Sequence, residues 1–352
     1  MKKTVLAVAA LAAVSGSAFA QSSVTLYGVV DASVENVKGT DSVTRVSSDN
    51  LATSRLGVRG TEDLGGGLKA KFVLETNVKT DTGAQGNSAR FWDRGAWVGL
   101  GGDFGELRLG RTDSSIGALA GNTSVLGAQA YDDFKIADTF AGSTYRRVDN
   151  AITYVLPTFV EGLSAQLQYS TAAGSSSTVG TETANVDTGK AWGFNVAYAG
   201  GPFGAGLGYI KAKQNPAGDQ EGEGWLVFGS YDFSVLKLTA YYNQDDSELA
   251  KATAAAGTYD KRELWGLKVG VPVGTAFNLS AGVSKVKNSG FQKDADATIV
   301  ALKGVYSLSK RTSVYGLFTN VDNDKTATLN VGAPVAADKN ARGIAFGVAH
   351  AF

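Results

Sequence analysis

Almost every segment of this chain alternates apolar and polar residues with a period of two. From residue 24, Val24, Leu26, Gly28, Val30, Ala32 and Val34 fall on one side, and Thr25, Tyr27, Val29, Asp31, Ser33 and Glu35 on the other. Successive side chains in a strand point to opposite faces, so this spacing makes a strand with one apolar and one polar face. The pattern returns at Leu68, Ala70, Phe72 and Leu74 against Lys69, Lys71, Glu75 and Asn77, and at Leu163, Ala165, Leu167 and Tyr169 against Ser164, Gln166, Gln168 and Ser170. Trp192, Phe194, Val196 and Tyr198 repeat it, as do Trp265, Leu267, Val269 and Val271. Helical periodicity is sustained nowhere past residue 20, and no apolar run there approaches the roughly 18 residues of a spanning helix.

The connections narrow the choice further. Short turns fall at residues 61–67, 101–105, 157–162, 200–202, 232–234, 272–276 and 307–311. Between them lie long polar segments at 39–53, 80–89, 112–145, 171–189, 213–223, 245–260, 287–294 and 322–341. Eight long and seven short connections alternate and join sixteen strands. An antiparallel transmembrane barrel produces this alternation, with short turns at one end and long loops at the other, whereas a soluble sandwich has no reason to. Ile344, Phe346, Val348, His350 and Phe352 share one face of the last strand. An aromatic edge strand is costly to leave unpaired, so it is expected to close against the first strand. The expected fold is all-β: one sixteen-stranded antiparallel transmembrane β-barrel.

Composition agrees. Glycine is 45 of 352 residues and proline only 5, which suits long twisted strands with close backbone approach. With no cysteine there is neither a disulfide nor a thiolate metal site. Lys2 and Lys3, the apolar stretch 5–14 and Ala18-Phe19-Ala20 predict a leader over residues 1–20 that is cleaved on export. The barrel domain then runs over 21–352, with 31 basic against 33 acidic groups once the two leader lysines are gone.

Other chemistry fails on inspection, and the chain reads as no enzyme. His350 is the only histidine and belongs to the apolar face of the closing strand, so a hydrolytic triad lacks its base. Gly65-Gly66-Gly67 precedes a strand rather than a helix, which argues against a phosphate cradle. Asp322-Asn323-Asp324 resembles the start of a calcium loop without the rest of it. No basic–aromatic patch points to nucleic acid. No cofactor or metal is expected.

Several segments resemble the Gram-negative general porins, in their β-proteobacterial branch: SSVTLYGVVDASV, SRLGVRGTEDLGGGLKAKFVLE, GDFGELRLGR, RRVDNAITY and the closing strand ending in His350-Ala351-Phe352. The resemblance covers the whole chain after the leader, in order. It departs from the family pattern at Val29, where members carry a bulky or basic residue, and at Ala349 and Ala351, where they tend to be basic. It implies a homotrimer of sixteen-stranded barrels, each with its own pore, and a third long loop folded inward as a constriction. The partners it suggests are outer-membrane lipid and lipopolysaccharide, with small hydrophilic solutes and ions passing through.

That third loop, residues 112–145, is the longest, and structureless loops of such length are usually functional. It carries Asp113, Asp132, Asp133 and Asp138, with Tyr131–Phe134 as the expected acidic tip. Arg55 and Arg59 belong to the polar face of an early strand; facing lipid at the midplane would cost each about 2–4 kcal/mol, so the lumen is favoured. Arg94 and Arg146 are further wall candidates. The register of Arg94 stays open, and of the adjacent Arg146 and Arg147 at most one points inward. Acid on the loop opposite base on the wall would set a transverse field that sorts ions. The expected function is passive diffusion of small hydrophilic solutes and ions across a Gram-negative outer membrane, with weak anion preference. A substrate-preferring channel of the same fold and a soluble periplasmic β-rich binding protein are the alternatives.

Overall fold

The computed structural model describes residues 22–123, 131–140, 142, 145–171, 186–253, 259–289 and 294–352. The expected leader and most of the fourth long connection, 171–189, lie outside these. Among the described residues, seventeen strands form one sheet in which every pairing is antiparallel. β1 (Ser23–Lys38), β2 (Ser42–Ser48), β3 (Arg55–Gly65) and β4 (Leu68–Asn77) come first. β5 (Gly95–Gly102), β6 (Gly105–Asp113), β7 (Arg147–Val155) and β8 (Leu163–Ser170) complete the first half. β9 (Ala191–Gly200), β10 (Phe203–Lys213), β11 (Glu221–Asp232), β12 (Lys237–Ser247) and β13 (Lys261–Val273) follow. β14 (Phe277–Ser289), β15 (Ala297–Ser307), β16 (Thr312–Asn323) and β17 (Ala341–Ala351) finish the wall.

β1 pairs with β2 from Lys38↔Ser42 to Ala32↔Ser48, then with β3 from Val29↔Arg55 to Ser23↔Thr61. β2 and β3 are therefore two pieces of one wall position, and the barrel is sixteen-stranded. The ring closes where β17 pairs with β1, from Val29↔Ala351 to Lys38↔Arg342. Phe352 and Gly28 exchange backbone hydrogen bonds of 3.1 and 3.2 Å at the seam. This closure leaves no unpaired sheet edge in a solvent that cannot satisfy one.

The first long connection differs from its expectation. Residues 42–48 continue the ladder instead of leaving it, and 49–54 tuck inside, with Asp49, Asn50, Thr53 and Ser54 buried. Their polar groups find partners there. Asp31 of β1 accepts from the Leu51 and Ala52 amides at 3.1 and 2.8 Å, and Asp49 from the Ser54 amide at 2.7 Å.

Sidedness is that of a barrel in lipid. Val24, Leu26 and Val34 are outward and exposed, whereas Asp31 and Glu35 on the same strand are 0% and 1% exposed. The aromatic residues sort by height. Phe104, Phe159, Phe203, Tyr231, Phe233, Tyr306 and Phe352 lie outward near the short-turn end, and Tyr169, Trp192, Trp225 and Trp265 near the long-loop end. Such paired girdles mark the two membrane interfaces. Trp97 belongs to neither, because it points inward beneath the Arg108 guanidinium, 4.7 Å from its ring.

Among the described residues, three short helices lie off the wall: α1 (Ser115–Ala120) and α2 (Asp133–Ile136) in the third loop, and α3 (Glu248–Thr253) in the sixth. One or two turns leave no detectable period in sequence. The buried apolar cluster is built around the first two, with Ile116, Leu119, Phe134 and Phe140 packed against inward residues such as Leu226, Leu264 and Ile299.

Candidate pore constriction

At the end of β6 the chain turns into the barrel. Ser114 caps α1, its Oγ accepting from the Gly117 amide at 2.9 Å, which satisfies one of the helix's free donors. The helix is then fastened to three strands. The Ser115 amide donates to Gln168 Oε1 on β8 (3.1 Å), Ser115 Oγ to the Tyr209 carbonyl on β10 (2.7 Å), and Asn195 Nδ2 on β9 to the Ser115 carbonyl (2.7 Å). Gly193 and Gly208 make this approach feasible. A Cβ at Gly193 would meet Ser115 Oγ and the Tyr209 carbonyl, and one at Gly208 would lie 2.7 Å from the Leu119 side chain.

The far side of the loop is pinned at α2. Asp132 caps it, accepting from the Phe134 amide at 2.9 Å, and the Phe134 ring stacks on Tyr241 of β12 with centroids 5.1 Å apart. The Asp133 carboxylate accepts from Ser284 Oγ of β14 (2.5 Å), from the Tyr241 hydroxyl, and from Lys268 Nζ of β13 (3.2 Å). Lys268 also donates to the Thr123 carbonyl. Further on, the Phe140 amide donates to Asp245 Oδ2 at 2.8 Å, and Arg262 donates to the Ala137 carbonyl. Tyr131 reaches across to β1, where its hydroxyl donates to Glu35 Oε2 at 3.1 Å. Burial and then the neighbouring Glu35 carboxylate hold that phenol well above its ordinary pKa. The loop thus touches strands from β8 to β14 and also β1, so it crosses the lumen.

The wall opposite is basic. Arg94 Nε lies 2.6 Å from Glu75 Oε1, Arg55 Nε 3.7 Å from Glu75 Oε2, and the Tyr27 hydroxyl donates to the same carboxylate at 2.9 Å. Tyr27 is on the inward face of β1, and this sets Arg55 and Arg94 on the lumen side. Arg59 is exposed over the Tyr27 ring, 5.0 Å from its centroid, with no ion pair among the described residues. Arg147 Nε lies 3.1 Å from Asp113 Oδ1 and donates to the Arg94 carbonyl at 2.9 Å. Arg146 sits 3.9 Å from the same carboxylate oxygen and donates to the Gly117 carbonyl of α1. Arg90 pairs with Asp149 at 2.7 Å, and Arg111 shares that partner while donating to the Asp93 carbonyl at 2.7 Å.

The residues singled out in the sequence therefore divide. Arg55, Arg94, Arg146 and Asp113 belong to one network, and Arg59 flanks it on Tyr27. Asp132 and Asp133 are a correction: both are buried, Asp133 fastening the loop to β12–β14 and Asp132 capping α2, instead of presenting an acidic tip to the arginines. The physical reason is that Lys268, Tyr241 and Ser284 offer Asp133 a cation and two hydroxyl donors at one place on that wall. Asp138 is exposed at φ 53°, and its carbonyl accepts from the Tyr259 hydroxyl at 2.9 Å. Phe346, exposed and facing outward, His350 and Phe352 lie along the closing seam, and His350 Nδ1 is 2.9 Å from Thr312 Oγ1. Sequence reasoning missed Lys268, Tyr241 and Ser284, and it expected at most one of Arg146 and Arg147 to point inward, whereas both reach Asp113. One signal was available: the inward positions Leu264, Gly266 and Lys268 of β13 are apolar or small beside one lysine, a face that needs a cover.

A family model for the Gram-negative porins matches residues 7–326. The chain belongs to that family. Outer membrane porin protein 32 of Delftia acidovorans is 34% identical, the alignment covering 100% of both chains. The major outer membrane protein P.IB of Neisseria lactamica is 28% identical over 89% of this chain and 91% of its own. Among solved structures, the anion-selective porin from Comamonas acidovorans superposes with a TM-score of 0.78 at 29% identity, covering 94% of this chain and 100% of that one. A trimer form of OmpT from Vibrio cholerae shares the fold at 17% identity and a TM-score of 0.64, covering 94% and 99%. The porin is a non-enzymatic channel of the Gram-negative outer membrane.

Proposed function

We propose that this porin is a weakly anion-preferring diffusion pore for small hydrophilic solutes and ions. One observation carries the reading: the network on β3–β7 and the adjoining loop holds six arginines (55, 90, 94, 111, 146 and 147) paired with three carboxylates (Glu75, Asp113 and Asp149), while the nearby Asp93 carboxylate accepts from the Asn77 amide. Arg59 adds a further exposed cation beside it. The loop carboxylate that would have balanced this excess is already engaged by Lys268. The screening length is about 8 Å at physiological salt, so charges near the constriction dominate and net charge decides little. The Comamonas acidovorans structure named above, itself anion-selective, supports the same sign.

Replacing Arg55 and Arg59 together by Glu should swing the zero-current potential in a KCl gradient toward cations. Reversal at Lys251, exposed on α3 in an outer loop, should move it far less. An unchanged potential in the double variant would remove these arginines from the constriction. The assembled form is proposed to be a homotrimer in contact with outer-membrane lipid and lipopolysaccharide, produced after cleavage of a leader ending at Ala20. Unboiled protein should then migrate as an oligomer that boiling collapses. Monomer alone after crosslinking would refute the trimer and leave the pore reading standing.

A further inference from the structure

The outward face of β13 and β14 changes character abruptly near the long-loop end. Below, it is continuously apolar: Phe277, Leu279, Ala281 and Val283 on β14 beside Val273, Val271, Val269 and Leu267 on β13. Trp265 ends that stretch, 53% exposed, and its cross-strand partner is Lys285. Lys287 follows two residues on, facing the same way, and both lysines are exposed. Among the described residues neither makes an ion pair or a hydrogen bond through its amine. Glu263, opposite Lys287, is occupied by Lys261 at 3.2 Å and by the Tyr242 hydroxyl at 3.0 Å. On the other side Asp296, next in line opposite Lys287, is occupied by the Asn288 amide at 2.9 Å, and Asp322 is separated from Lys285 by the intervening Thr298 of β15.

Height decides what these amines meet. From Phe277, eight residues at about 3.3 Å each and a strand tilt of about 40° put Lys285 roughly 20 Å up the wall, and Lys287 roughly 25 Å. The lipid-facing apolar band of such barrels is about 25 Å tall, so the pair sits at its outer boundary. A lysine there extends its stem along the apolar wall and its amine toward the headgroup layer. Two such amines about 7 Å apart, unpaired and above an interfacial tryptophan, suit a doubly anionic group on a lipid.

We propose that Lys285 and Lys287, with Lys261 at their flank, bind the phosphorylated sugar headgroup of an outer-leaflet lipopolysaccharide. The inference deepens the proposed contact with outer-leaflet lipid and does not depend on the pore's selectivity. It is tested by titrating the folded porin in neutral detergent with bis-phosphorylated lipid A, with dephosphorylated lipid A and with inorganic phosphate. Lys285→Gln/Lys287→Gln should weaken phosphorylated lipid A by about thirtyfold, each lysine near a charged membrane surface contributing about fivefold. Lys285→Arg/Lys287→Arg should retain binding, and dephosphorylated lipid A should bind the wild type as weakly as the glutamine variant binds the phosphorylated form. Lys38→Gln/Arg342→Gln, a facing basic pair on the closing seam, should leave the affinity unchanged. Conductance should be the same in all variants, so a failure here leaves the channel intact. The proposal is overturned if the glutamine variant stays within about twofold of wild type. It is also overturned if the seam variant loses as much, which would mean general rim attraction, or if inorganic phosphate displaces the lipid at equal concentration, which would mean a small-anion site.

Discussion

Substituting Lys268 by Met removes the cation from the pin at the far side of the third loop while nearly keeping its volume. Lys268 and Asp133 have side chains only 6% and 7% exposed, with Nζ 3.2 Å from Oδ1. Lys268 Nζ also lies 4.2 Å from the Tyr241 ring centroid and 5.5 Å from that of Phe134. Removing one member of a buried pair costs about 3–5 kcal/mol, mostly because the other charge is left uncompensated. Asp133 keeps Ser284 Oγ and the Tyr241 hydroxyl as donors, so the low end, about 3 kcal/mol, applies. At 1.4 kcal/mol per decade, the docked-to-released ratio of the loop falls by roughly two orders of magnitude. The wall does not share this loss, since the Lys268 backbone stays in register between Thr239 and Gly282. The expected result is higher and noisier single-channel conductance, with larger sugars admitted in liposome swelling and the barrel itself unchanged. Adding Asp133→Asn should recover most of the wild-type conductance, because no orphaned charge remains. Conductance and swelling indistinguishable from wild type in Lys268→Met would refute the claim that this pair holds the loop in the lumen.

Gly193→Val should lift the near side of the same loop. The new side chain meets Ser115 Oγ and the Tyr209 carbonyl, and losing the two hydrogen bonds of Ser115 to β9 and β10 costs about 2 kcal/mol. Limited proteolysis should then cut within residues 114–123 faster than in wild type, and equal rates would contradict the account. Alkaline pH should act on the loop as well. Burial pushes the Tyr145 phenol from 10.0 up to about 12. A docked loop therefore keeps its proton where a released loop loses it, so docking is fully supported below pH 10 and loses this support as pH rises toward 12. Conductance should climb across that window and climb less in Tyr145→Phe, with a remainder from Tyr131, whose phenol is raised too. An identical pH profile in the variant would show that Tyr145 does not report on docking.

What the sequence determined by itself is the wall. The period of two, the sixteen positions and the alternation of long and short connections are local properties. Alternating Cβ directions make them so, and lipid as solvent turns the apolar face outward without reference to any distant residue. The same logic placed Arg55 and Arg59 in the lumen. Local reasoning stopped at the polar face. It read 39–53 as a loop because Ser, Asp and Asn cluster there, whereas the carboxylate of Asp31 on the neighbouring strand β1 supplies acceptors that fold 49–54 inward. It saw Asp132 and Asp133 as pore charges because nothing nearby in the chain could claim them. The claimant of Asp133, Lys268, is 135 positions away and comes within reach only once the barrel has closed and the loop has crossed it. Which acid meets which base inside the lumen is set by ring closure, and closure brings together residues that no periodicity relates.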